Sequence, residues 1–188
     1  MLKFALLGAL GYQPMSGYDL KQFTDRSISN FWHAELSQIY LTLKALEKEG
    51  LITSTAVSQS TRPDRKVYAI TPAGQKALQS WLNEPFTGID QYKDTLLLKL
   101  FFSARVERET LLAQLRLQRG LHQKLVDGYN SETADLIAQS VEAHPELRKD
   151  ALLWEATRRF GQSIEEAYLR WLEETIQMVE TNFSLEDE

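Results

Sequence analysis

The sequence predicts a mainly α-helical chain built in two parts, and three observations carry that prediction. Apolar residues recur at helical spacing along most of the chain, β-branched runs are confined to residues 51–71, and charge divides unevenly about a Pro/Gly break at residues 85–88. Up to Pro85 the chain carries nine Lys/Arg and seven Asp/Glu, a net of +2, and beyond it twelve and nineteen, a net of −7. A length of 188 residues suits one ordinary domain or two small ones, and Asn83-Glu84-Pro85-Phe86-Thr87-Gly88 sets the candidate boundary, giving residues 1–85 and 86–188. With 43% hydrophobic and 25% charged residues, the composition is that of a folded, soluble protein. The absence of cysteine excludes disulfides, thiolate metal sites and cysteine nucleophiles, and agrees with a reducing, cytoplasmic setting. The apolar runs 2–10 and 95–102 are far shorter than the roughly 20 residues that span a bilayer. No membrane span is expected, and the first run reads as the opening helix of the fold and not as a secretory signal.

That first helix rests on Leu2, Leu6, Ala9 and Leu10, with Gly11 and Pro14 following as a stop. Ser16, with Asp19 three residues on, has the spacing of a capping box and starts a second, short helix through Leu20 and Phe23 to about Ser27. A loop through Asn30-Phe31-Trp32 leads to a third helix that begins near Glu35 or Leu36 and ends before Gly50, a helix-terminating glycine. Leu36, Ile39, Leu43 and Leu46 form its core stripe. The opposite face carries Ser37, Gln38, Leu41, Lys44, Ala45 and Lys48, which suits either solvent or the major groove of DNA. Two strand-like runs follow, 51–57 and 66–71, joined by the polar loop Ser58-Gln59-Ser60-Thr61-Arg62-Pro63-Asp64-Arg65 with its Pro-Asp turn chemistry. Thr71 as cap and Pro72 at the first helical position open a fourth helix, with Leu78, Trp81 and Leu82 on its apolar side. Three helices, a basic two-stranded wing and a further helix make a winged helix-turn-helix, in which a helix enters the groove while the wing grips the backbone.

These residues resemble the PadR-like family of bacterial transcriptional regulators. The matching stretches are Leu6-Leu7-Gly8-Ala9-Leu10 with Met15-Ser16-Gly17-Tyr18-Asp19-Leu20; Leu36-Ser37-Gln38-Ile39-Tyr40 with Leu43-Lys44-Ala45-Leu46-Glu47-Lys48-Glu49-Gly50-Leu51-Ile52; and Arg65-Lys66-Val67-Tyr68-Ala69-Ile70-Thr71-Pro72-Ala73-Gly74. One departure is Leu41, which stands where many members have proline after the tyrosine. The resemblance implies a homodimer that binds a partly palindromic double-stranded DNA operator and usually represses transcription. Its DNA-contacting residues would be Ser37, Gln38, Tyr40 and Lys44 on the helix and Arg62, Arg65 and Lys66 on the wing. Each has a plainer reading as well. Ser37 can start a helix, Tyr40 borders the core stripe, Lys44 can simply solvate, and Lys66 can be the first outward residue of its strand, whereas Arg62 and Arg65 have little structural duty as loop-tip arginines.

From Asp90 onward the chain reads as all-α, with Pro145 its only proline. Three helical segments are expected: Asp90 to about Ser103; Arg108 to about Ala138, with Leu111, Leu112, Leu115, Leu121 and Leu125; and Pro145 to Val179. A helix of some thirty residues is about 45 Å long, more than a small globule covers, so part of its stripe is expected to pack on a second copy of the chain. Leu96-Leu97-Leu98-Lys99-Leu100-Phe101-Phe102, Arg159-Phe160-Gly161, Glu165-Glu166 and Trp171-Leu172 resemble the helical C-terminal dimerisation domain of the longer PadR-like proteins. Trp154, Phe160, Tyr168 and Trp171 along the last helix read as core or interface packing or, since family members respond to phenolic or drug-like molecules, as the lining of an effector site.

Catalytic signals are missing from the sequence. His33, His122 and His144 have no metal-ligand spacing, Ser163 has no nucleophile-elbow context, and no glycine-rich phosphate loop occurs. Neither an enzyme nor a cofactor is expected. Two readings remain, a DNA-binding repressor and a helical ligand-binding or protein-interaction module whose winged helix does not bind DNA specifically.

Overall fold

The structure, a computed structural model, describes residues 1–29, 31–57, 65–89 and 93–183. The chain divides into two units, residues 1–89 and 90–188.

In the N-terminal unit α1 (Leu2–Tyr12), β1 (Met15–Ser16), α2 (Gly17–Ser27), α3 (Leu36–Lys48), β2 (Ile52–Val57), β3 (Arg65–Ile70) and α4 (Pro72–Asn83) follow in that order. The nearly all-apolar α1 lies at the centre, touching α2, α3, α4 and β3. Leu6 and Leu7 from α1, Leu20 from α2, Ile39, Leu43 and Leu46 from α3 and Ile52 from β2 are sealed from solvent. Each such burial stabilises by about 1.5–3 kcal/mol, so α3 is held in place by its inner stripe while its outer face stays free of packing duty. Phe4 and Trp81 stack with ring centres 4.6 Å apart, fastening α4 to α1.

The caps lie where the sequence places them. Ser16 Oγ accepts the Asp19 amide at 3.3 Å, and the Ser16 amide donates to Asp19 Oδ2 at 2.9 Å. Thr71 Oγ1 accepts the Gly74 amide at 3.1 Å, with Pro72 opening α4. Gly50 has φ of +70°, a left-handed conformation that glycine adopts without a Cβ penalty, and it closes α3. There the Leu51 amide donates to the Leu46 carbonyl at 2.9 Å and the Gly50 amide to the Glu47 carbonyl at 3.1 Å, the Schellman pattern.

The two-stranded wing forms from β2 and β3 as expected, and the structure adds Met15 and Ser16, which pair antiparallel with Tyr68 and Val67 and give a three-stranded order β1-β3-β2. A two-residue strand is too short to show alternation in the sequence. One expectation for this unit needs correction: Leu36, expected in the core stripe, is 36% exposed, since it is the first helical residue and overhangs the end of the core.

The C-terminal unit holds α5 (Thr95–Phe101), α6 (Arg108–Gly128), α7 (Ala134–Ala143) and α8 (Arg148–Asn182). Leu111, Leu112 and Leu115 of α6 pack on Leu172, Ile176 and Val179 of α8, with Leu96 and Leu100 of α5 against the same cluster. The expected first helix is shorter than predicted, because Asp94 caps it by accepting the Leu97 amide at 3.0 Å. The expected helix from Arg108 runs on to Ala143 through a π-helical turn at Tyr129–Thr133. The last helix starts at Arg148, after a 3-10 turn at Pro145–Leu147. Among the described residues no helix is long and apolar enough to cross a membrane.

Candidate nucleic-acid interface

The two elements that a winged helix would present to DNA are built from opposite local rules. On α3 the 3.6-residue repeat turns Ile39, Leu43 and Leu46 inward, and Ser37, Gln38, Leu41, Lys44, Ala45 and Lys48 are consequently all exposed. Ser37 is not the helix-start residue, because Glu35 occupies the cap position. Gln38 has a structural bond that the sequence reading missed, its Oε1 accepting the Glu35 amide at 3.2 Å across the first turn. The carboxamide retains its two N–H donors for other partners.

Tyr40 is 47% exposed, and its ring lies directly over Gly17, where a Cβ would collide with it. The glycine of the Gly-Tyr-Asp-Leu stretch therefore makes room for the tyrosine of α3. This contact between residues 23 positions apart is invisible to periodicity.

On the wing, β2 and β3 pair from Ile52 with Ile70 to Val57 with Arg65. Arg62 and the rest of the loop 58–64 lie outside the described residues. Arg65, expected at the loop tip, is instead the first residue of β3, and its guanidinium is ion-paired with the Asp19 carboxylate at the start of α2. Next to it, Lys66 Nζ donates to Glu47 Oε2 at 2.8 Å and lies 5.3 Å from the centre of the Tyr68 ring. The other Glu47 carboxylate oxygen accepts the Ser54 hydroxyl. The pair of acids, Asp19 and Glu47, thus ties the base of the wing to α2 and to α3. Sequence separations of 46 and 19 residues hid both ties.

The electrostatics follow from these bonds. Partial burial pushes the Asp19 carboxyl up, but hydrogen bonds from the Ser16 amide and hydroxyl and from Arg65 outweigh it and hold Asp19 below the usual carboxylate range. Glu47 is lowered by its hydrogen bonds from Lys66 and Ser54, and Lys66 is raised by the same bond to Glu47. These shifts keep Asp19, Glu47 and Lys66 charged at neutral pH, so the cations at the wing base sit against carboxylates that partly balance them. A phosphate placed there would compete with a carboxylate for each cation.

In the C-terminal unit Tyr168 and Trp171 meet edge to face at 5.1 Å, and His122 stacks on Tyr168 at 4.0 Å. The Tyr168 hydroxyl donates to Asp94 Oδ2 at 2.6 Å, and His122 Nδ1 pairs with Glu165. Trp154 is half-buried, whereas Phe160 is 65% exposed and stands apart as a surface ring. The remaining histidines each sit beside a glutamate two residues on, His33 by Glu35 and His144 by Glu146.

Comparison with known proteins agrees with both units. Residues 6–80 match the model of the transcriptional regulator PadR-like family, and residues 92–180 match that of the virulence activator alpha C-terminal domain. The negative transcriptional regulator PadR of Bacillus subtilis is 30% identical over 184 residues, covering 96% of this chain and 98% of that protein. The crystal structure of Bacillus subtilis PadR in complex with operator DNA superimposes with a TM-score of 0.76 at 28% identity, covering 95% of this chain and 98% of the other. The structure of the same protein with p-coumaric acid gives 0.72 at 26% identity over the same shares.

Proposed function

Because the chain belongs to the PadR-like family of transcriptional regulators, we propose that it is a homodimeric, sequence-specific DNA-binding repressor of a partly palindromic operator, working in the cytoplasm and relieved by a small aromatic effector. The observation that carries this reading is the exposed face of α3, from Ser37 to Lys48, tied to the wing through Lys66 and Glu47. The namesake relative is a negative regulator whose structures contain operator DNA and, separately, p-coumaric acid.

In this mechanism α3 enters the major groove. Ser37 and Gln38 address base edges, while Tyr40 and Lys44 reach the flanking backbone. Arg62, Arg65 and Lys66 grip phosphates from the wing. Arg65 and Lys66 are held in place by Asp19 and Glu47 before DNA arrives, so little side-chain freedom is lost on binding. The effector would take the Tyr168–Trp171 pair as its aromatic wall, with Trp154 on the same helix, and the exposed Phe160 ring is assigned instead to the proposed dimer interface.

The test is selection of a random double-stranded DNA library by the purified protein at near-physiological salt, where nonspecific retention is weak. Enrichment of an inverted repeat with half-sites about one helical turn apart is expected. An unenriched pool, with and without aromatic acids, would favour a winged helix that serves protein contacts instead.

A further inference from the structure

The face of α3 assigned to the major groove carries polar and small residues, with one large apolar side chain, Leu41, at its middle. Leu41 lies on the same side as Ser37, one turn before it, and Lys44, one turn after it, opposite the buried Ile39, Leu43 and Leu46. It is 70% exposed, more than Tyr40 at 47% or Leu36 at 36% on the same helix. A single exposed leucine on a protein surface needs no special account. This one sits at the centre of the face assigned to the groove, away from the stripe that packs the fold. It also lines an open cleft of about 470 Å³ with Leu2, Trp32, His33, Gln38 and Thr42, so apolar surface from Leu2 and Trp32 continues beside it.

Resting on the DNA-binding reading above, we infer that Leu41 is a specificity-determining residue that recognises a thymine by packing on its 5-methyl group. The chemistry leaves few alternatives. In the major groove thymine carries the one methyl among the four bases, while adenine and guanine present donors and acceptors and cytosine an amino donor beside a small C5–H. A leucine pressed against one of those edges finds no methyl to bury and strips water from the neighbouring polar group without returning a hydrogen bond, which costs free energy. The side chain thus discriminates twice, by burying a methyl where thymine is present and by penalising the other bases.

The experiment uses the full-length protein and the operator recovered by library selection. Each thymine is replaced in turn by uracil, which pairs identically and lacks only the methyl, and binding of wild type and Leu41→Ala is compared. Wild type is expected to lose about fourfold in affinity at one thymine per half-site, the value of one buried methyl-sized group. Leu41→Ala should bind the natural operator more weakly by at least as much and should be indifferent to uracil at that position. Because the side chain is exposed, its thermal unfolding should match wild type, and Leu41→Met should recover most of the thymine preference. Failure to recover any operator would overturn the DNA-binding reading and this inference with it. A recovered operator at which uracil affects wild type and Leu41→Ala equally at every position would overturn the role of Leu41 alone.

Discussion

Arg65 and Gln38 each hold a bond within the fold and stand on the face proposed to meet DNA. Arg65 is paired with Asp19, yet its side chain is 43% exposed, and an exposed ion pair contributes only about 0–1 kcal/mol to stability. Arg65→Ala is therefore expected to leave the melting temperature nearly unchanged. It should weaken binding to operator and random DNA alike and lower the slope of log affinity against log salt by about one. Gln38→Ala is expected to differ in kind, narrowing the gap between operator and random DNA while leaving the salt slope intact. Fluorescence anisotropy titrations at several salt concentrations check both, and identical profiles for the two variants would sink the division between base reading and phosphate gripping. Gly17 is the third informative residue, since a methyl there collides with the Tyr40 ring. Gly17→Ala should destabilise the protein by about 1–3 kcal/mol through overpacking and displace Tyr40 from its seat. Urea unfolding combined with the near-ultraviolet tyrosine signal measures the two effects, and an unperturbed variant would mean that the ring is not held there.

Among the elements, α8 shows how a long helix is fastened where its apolar stripe is thin. The Glu155 carboxylate accepts hydrogen bonds from Arg158 Nε at 2.6 Å and Arg159 Nε at 2.7 Å, while Arg158 also donates to the Tyr129 carbonyl at 2.8 Å. The π-helical turn between α6 and α7 is thereby bound to α8, and the Tyr129 ring seats over Gly161, where a side chain would clash. The hydrogen bonds from Arg158 and Arg159 hold the Glu155 carboxyl down at about 2, against an ordinary value of 4.5. A carboxyl lowered in the folded state contributes stability that is fully present above its unfolded value and is lost as pH falls through the folded value. Wild type should accordingly lose stability between roughly pH 5 and pH 2 more steeply than Glu155→Gln. Urea midpoints across that range read the difference, and parallel curves would show that the pair is not coupled to folding. The π turn itself was not legible in the sequence, because Tyr129-Asn130-Ser131-Glu132-Thr133 contains neither proline nor glycine to mark a break and the contact of Tyr129 with Gly161 joins residues 32 positions apart.

For the molecule as a whole, surface apolarity bears on the proposed assembly. Leu117, Leu121 and Leu125 stand one turn apart along α6 at 62%, 47% and 51% exposure, and α8 exposes Leu152 at 71%, Leu153 at 66% and Phe160 at 65%. Rows of large exposed apolar side chains along two helices of one unit are what an interface between copies would cover, which supports the proposed dimer. Leu121→Glu combined with Phe160→Glu is expected to convert the dimer to monomer in sedimentation velocity at micromolar concentration. Affinity for an inverted-repeat operator should fall by more than about tenfold, because two linked half-site contacts become one. A wild-type protein that sediments as a monomer would remove the dimer from the proposal.

Periodicity and punctuation alone determined the helices around the wing, the caps at Ser16 and Thr71, the helix stop at Gly50 and the outward face of α3, because all of these depend on neighbours within about four residues. The tertiary structure decided what local rules do not reach. It added β1 to the sheet, moved Leu36 out of the core, placed Arg65 and Lys66 against Asp19 and Glu47, and set Tyr40 on Gly17. It also gathered Tyr168, Trp171 and His122 while leaving Phe160 in solvent. Each of these is a meeting of side chains or strands distant in sequence, or a helix end beyond the reach of its core, and such encounters are set by how the elements pack and not by the order of residues within any one of them.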